Sequence, residues 1–110
     1  MELINLSKNT VISENISITK TMRDRIIGLL KEKEPKALSL KTRWGIHTFG
    51  MKFSIDCIVL DKNRKVVFIR ENLLPNRVLF WNPKYCRVME LPSGAIGKSG
   101  TKIGDVLEIK

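Results

Sequence analysis

Apolar and polar side chains alternate with a period of two along most of this chain, which predicts strands. Residues 2–6 (ELINL) and 10–20 (TVISENISITK) alternate, with Asn15 marking a turn or bulge between two short pieces. Residues 37–41 (ALSLK) alternate as well. Residues 55–60 (IDCIVL) are apolar enough for a buried strand, and the polar run 61–65 (DKNRK) leads into 66–70 (VVFIR). That pair predicts a hairpin with a five-residue loop. Leu74–Pro75–Asn76 is a breaker, residues 77–81 (RVLFW) form a strand or an exposed apolar loop, and 86–91 (CRVMEL) form another strand. Residues 92–104, with four of the seven glycines, predict turns before a closing strand at 105–109 (DVLEI).

One stretch has the helical period instead. Ile26, Leu29 and Leu30 fall at i, i+3 and i+4, and Met22 extends that face backwards. Thr21 followed by Asp24 is a weak capping box, Gly28 permits a close contact, and Pro35 stops the element. One helix among many short strands predicts a β-rich α+β domain. It would be an antiparallel sandwich or flattened barrel with the helix packed over it. An early helix with strands on both sides argues against a doubly wound parallel sheet.

Composition changes this picture little. At 110 residues the chain predicts a single domain over residues 1–110. No apolar run approaches a membrane span, and acidic Glu2 without a basic lead-in is unlike a signal peptide. The expected location is cytoplasmic, with no membrane partner. Cys57 and Cys86 do not make a disulfide framework. The net charge of +9 is the strongest compositional signal. Its cations are interspersed with apolar residues, so a nucleic-acid partner is permitted but not favoured over ordinary solvated faces.

The candidate chemistry lies in residues 46–61 (IHTFGMKFSIDCIVLD). His47, the only histidine, precedes Thr48, Met51 and Asp56 and feeds an apolar strand. A carboxylate accepting the ring N–H would fix its tautomer. Asp56 stands between Ile55 and Cys57, and Glu90 between Met89 and Leu91. Carboxylates in apolar strands must be paired or hydrogen-bonded. For Asp56 two readings stand: it lines a pocket, or it forms a clamp with Arg25 of the helix. Asp56 and Glu90 facing one cleft would make an acid–base pair. His47, Thr48, Met51, Asp56 and Glu90 are therefore the candidate ligand contacts, for a small polar molecule or a peptide. Trp44, Phe49, Phe80 and Trp81 mark a binding surface if exposed together, and otherwise cap the ends of the sandwich. No metal-ligand spacing is present and no cofactor is expected. The glycine-rich segment lacks a phosphate-loop pattern.

Several blocks, taken in order, resemble the domain of unknown function 192 family. They are Arg25 with Gly28–Leu29–Leu30, then Ala37–Leu40, then Ile46–His47–Thr48 with Met51. Ile55–Asp56, Leu60–Asp61 and Val66–Val67 follow, then Met89–Glu90–Leu91–Pro92–Ser93–Gly94 and Gly104–Asp105. The resemblance covers roughly residues 20–109. It implies a compact β-rich fold with a single helix, and no substrate. One branch of the family carries a cysteine shortly before the histidine. Thr42 to Gly45 fill that stretch here, which puts a thiol function there in doubt.

Overall fold

The computed structural model describes residues 1–21, 24–25 and 36–110. The predicted helix over Met22–Leu30 thus lies outside the described residues, except for its first turn. There the capping expectation holds: the Asp24 N–H donates to Thr21 Oγ1 at 3.1 Å, and the Arg25 N–H to the Thr21 carbonyl at 3.1 Å.

Among the described residues ten strands follow one another: β1 (Leu3–Asn5), β2 (Thr10–Ser13), β3 (Ile16–Ile18), β4 (Ala37–Lys41), β5 (Gly45–His47), β6 (Ile55–Leu60), β7 (Val66–Leu73), β8 (Val78–Phe80), β9 (Arg87–Pro92) and β10 (Leu107–Ile109). A five-residue helix, α1 (Ala95–Ser99), interrupts the segment read as turns. The strands form a five-stranded sheet of order β3-β4-β9-β6-β7, a three-stranded sheet of order β10-β1-β2, and a two-stranded ribbon β5-β8. The fold is β-rich α+β, and its pairings are antiparallel except for β3 with β4.

Every residue of β6 is buried, because this strand is covered on both faces. Ile55, Cys57 and Val59 point to one side, where they pack with Leu40, Val88, Ile46, Leu79, Met51 and Trp81. Ile58 and Leu60 point to the other, where they meet Leu3, Leu107, Met89, Leu91 and Ile96. The five-stranded sheet is therefore a middle layer. The β5-β8 ribbon covers its first face, and the three-stranded sheet with α1 covers its second. Strand alternation then decides which face receives each buried polar group.

Among the described residues no helix is long and apolar enough to cross a membrane.

Candidate functional site

The turn after β5 is built around Thr48, which is fully buried. Its hydroxyl donates to the Leu74 carbonyl at 2.7 Å and accepts the Arg77 N–H at 2.9 Å. Its carbonyl accepts the Asn76 N–H at 2.9 Å and the Met51 N–H at 3.2 Å. These bonds bind the 48–51 turn to residues 74–77 and leave Thr48 no free donor. Met51 lies in the first core cluster against Leu79 and Trp81, so it packs where a ligand contact was expected.

His47 remains half-buried at the ribbon surface. Its ring stacks on Phe49 with centroids 5.0 Å apart, and its Nδ1 accepts the Phe49 N–H at 3.4 Å. Among the described residues, Nε2 is the ring nitrogen without a hydrogen bond.

Asp56 is buried on the second face of the sheet. Oδ1 accepts the Asn72 N–H at 2.9 Å; Oδ2 accepts the N–H groups of Gly94 at 3.1 Å and Ile96 at 3.0 Å. A carboxylate from a distant strand thus takes up the free N–H groups at the start of α1. This explains why a helix forms in a segment whose glycines predict turns. The expected clamp between Arg25 and Asp56 is corrected: the Arg25 guanidinium meets Glu90 instead. Nε donates to Oε1 at 2.7 Å and to Oε2 at 2.9 Å, and Nη2 lies 2.7 Å from Oε1. That last contact is an ion pair without hydrogen-bond alignment, so Nη2 has no hydrogen-bond partner among the described residues. Both side chains are about fully buried. Burial pushes the Glu90 carboxyl above its ordinary range, against the pull of Arg25.

The register explains the exchange of partners. Glu90 stands opposite Cys57 and Leu38, whereas Asp56 stands opposite Leu91. Glu90 therefore faces the first core and Asp56 the second. The structure does not bring His47, Asp56 and Glu90 into one cleft. Both carboxylates are sealed and occupied, so the acid–base pair has no geometry to act. Burial, with Glu90 beside it, also pushes the Cys57 thiol far up, which makes that sulfur inert. Both cysteines are free. Among the described residues no three His, Cys, Asp or Glu side chains are placed to hold a metal.

A second buried polar cluster carries no signal in the alternation pattern. The Asn5 amide donates to Thr101 Oγ1 and to Asp105 Oδ2, each at 3.0 Å. Lys8 Nζ reaches Asp105 Oδ1 at 3.0 Å, and the Lys102 N–H reaches Oδ2 at 2.9 Å. The Asn5 bond, with Lys102 and Lys8, holds the Asp105 carboxyl down at about 2. This network fastens the loop before β10 to the β1–β2 turn. All its groups are satisfied, so it serves the fold.

The outer face of the ribbon is open to a partner. Trp44 is 70% exposed, Phe80 71% and Phe49 53%, and Val78 is exposed beside His47. Trp81 turns inward and donates its indole N–H to the Tyr85 carbonyl at 2.8 Å. The aromatic residues thus divide between the two readings: Trp81 packs, and Trp44, Phe49 and Phe80 face outward. Gly45 permits the close approach of the two ribbon strands. It has φ +149°, and an added Cβ would collide with the Leu79 carbonyl oxygen.

The sequence profile of the DUF192 family, described as Uncharacterized ACR, matches residues 4–109. Two solved structures share the fold. A protein of unknown function from Novosphingobium aromaticivorans DSM 12444 superposes with a TM-score of 0.79 at 19% identity, covering 98% of this chain and 82% of that one. A "putative transcription regulator" from Sinorhizobium meliloti 1021 superposes with a TM-score of 0.78 at 17% identity, covering 97% and 89%. The chain has no significant match among curated proteins.

Proposed function

The chain belongs to the DUF192 family, described as uncharacterised, and on the exposed aromatic ribbon we propose that it is a cytoplasmic binding module for an acidic, extended segment of a partner protein. The observation that carries this reading is the exposure of Val78 and Phe80 on the side of β8 that His47 shares, with Phe49 stacked on His47 and Trp44 exposed just before β5. Grouped exposed apolar side chains of this size mark interaction surfaces.

Charge and backbone select the occupant. Residues 42–54 and 74–86, which build the ribbon and its turns, contain Arg43, Lys52, Arg77 and Lys84 and neither Asp nor Glu. An acidic segment is the complement. Among the described residues the ribbon has two strands, so β5 and β8 each keep an edge that pairs with no further strand. Such an edge accepts an extended peptide through main-chain hydrogen bonds, with aromatic side chains gripping alternate residues. His47 Nε2 adds a polar contact at the centre.

Selection of a random peptide display library on the protein tests the reading. Acidic sequences should be enriched. A synthetic enriched peptide should shift the amide signals of residues 43–49 and 77–80, and bind at least about tenfold more weakly to Trp44→Ser/Phe80→Ser. Exposed aromatics among cations also suit single-stranded nucleic acid. Retardation of a poly(U) oligonucleotide at about 50 mM salt, abolished by the same double variant, would replace the peptide reading. Absence of acidic enrichment would overturn it.

A further inference from the structure

A partly open cavity lies away from the ribbon, and none of His47, Thr48, Met51, Asp56 or Glu90 lines it. It is a cavity of 480 Å³ between the middle sheet and the three-stranded sheet. Leu3, Leu60, Met89 and Leu107 form an apolar floor, and Ile18, 60% exposed, stands at the lip. Lys20, Lys41, Arg64 and Arg87 line the same space, against a single acid, Glu108.

Two features of these cations point to an absent anion. First, none of the four makes an ion pair or a side-chain hydrogen bond among the described residues, although Glu108 lines the same cavity. Second, Lys41 and Arg87 are direct cross-strand partners in β4 and β9. They share the face of Ser39 and Met89, which also line the cavity. Like charges opposite one another destabilise a sheet. Among the described residues no carboxylate pairs with either of them.

We propose that this cavity is a binding site for a small free anionic amphiphile, an apolar body carrying one carboxylate or phosphate. The apolar body lies on Leu3, Leu60, Met89 and Leu107. The anionic head lies at the mouth, between Lys41 and Arg87, with Arg64 and Lys20 adding to the field. The volume falls within the range of small-molecule sites, which are mostly apolar with a few placed polar groups. The site is separate from the ribbon, so either can be lost without the other.

Titration calorimetry and amide chemical shifts test this with decanoate and decyl phosphate as anionic probes, decyltrimethylammonium as the cationic one, and phosphatidylglycerol vesicles. The expected result is saturable binding of an anionic probe below about 1 mM, shifts at Ile18, Ser39 and Leu107, and no saturable binding of the cation. Binding should weaken as salt rises. Lys41→Glu is the informative variant because it faces Arg87. It should weaken the anionic probes at least about tenfold while its Tm rises, so lost binding is not lost folding. Trp44→Ser/Phe80→Ser should bind them as the parent does. Absence of saturable binding by either anion, equal binding of the cation, or undiminished binding by Lys41→Glu would overturn the proposal. So would attachment to vesicles alone, which would assign the cations to a membrane surface. A fall in the Tm of Lys41→Glu would remove the repulsion on which the proposal stands.

Discussion

Asp56→Asn replaces one carboxylate oxygen with an NH2 group at a place where every neighbour is a donor. Oδ2 receives two N–H groups, from Gly94 and Ile96, and Oδ1 one, from Asn72. The amide will keep its oxygen at the Oδ2 position, where it saves two bonds, and turn its NH2 toward the Asn72 N–H. One hydrogen bond to a charged acceptor is then lost, worth about 1.5–3 kcal/mol. The two survivors weaken, because a neutral acceptor bonds about half as strongly as an ionised one. Relief of the buried charge offsets part of this. The net expectation is a loss of about 2–4 kcal/mol of stability, or a fall in Tm on the order of 10–20 °C for a chain of this size. Urea unfolding followed by far-ultraviolet circular dichroism measures it. Amide exchange should accelerate most at Asn72, whose N–H loses its acceptor, and also at Gly94 and Ile96, two amides whose bonds weaken at the start of α1. A loss below about 1 kcal/mol, with exchange unchanged at those two amides, would refute the view that Asp56 organises the helix.

Glu90→Gln strands the Arg25 charge in the core and should cost about 3–5 kcal/mol, whereas Arg25→Met/Glu90→Leu should unfold at nearly the parental urea concentration; a double variant as unstable as the single one would contradict this account. Asp105 has a folded value of about 2 against an ordinary 3.8. Its contribution is therefore complete above pH about 4 and is lost as pH falls toward about 2. Asp105→Asn should accordingly flatten the stability profile in that acid window, and an equally steep profile in the variant would count against the Asn5 network as its cause. Gly45→Ala should cost about 2–4 kcal/mol, through the collision with Leu79 and the unfavourable φ; a parental Tm would show that the ribbon can open without loss.

Sequence reading recovers the fold where interactions are local. Residues 37–41 alternate and form β4; the 61–65 turn joins β6 to β7 as expected, although β7 runs on to Leu73. It misses α1, because five residues between Gly94 and Gly100 hold no helix by themselves and the anchoring carboxylate comes from β6. It misses β5, a three-residue strand that begins at a glycine and depends on its pairing with β8. The site was legible as a set of residues but not as an arrangement. Asp56 and Glu90 stand out as acids in apolar strands, and both are indeed buried. Which of them Arg25 meets depends on the register of β6 against β9, which places Glu90 opposite Cys57 and turns Asp56 to the other face. Thr48 and Met51 lie close to His47 in the chain, yet one closes a turn and the other packs in the core. The cavity draws on segments from Leu3 to Ile109, so no short motif announces it.

The pairing of β1 with β10 has a consequence for the order in which the fold is acquired. Leu3 stands opposite Ile109, and the Glu2 and Lys110 backbones exchange hydrogen bonds at 2.9 Å. During synthesis, the β6–β7 hairpin and β9 can assemble while β1 has β2 beside it but not yet β10. One flank of the middle sheet must wait until residues as far on as Ile109 have left the ribosome. Contacts so distant along the chain close slowly. Until they do, the nascent chain exposes Leu3, Leu60 and Met89 together, and this interval is when aggregation or a chaperone would first compete for it.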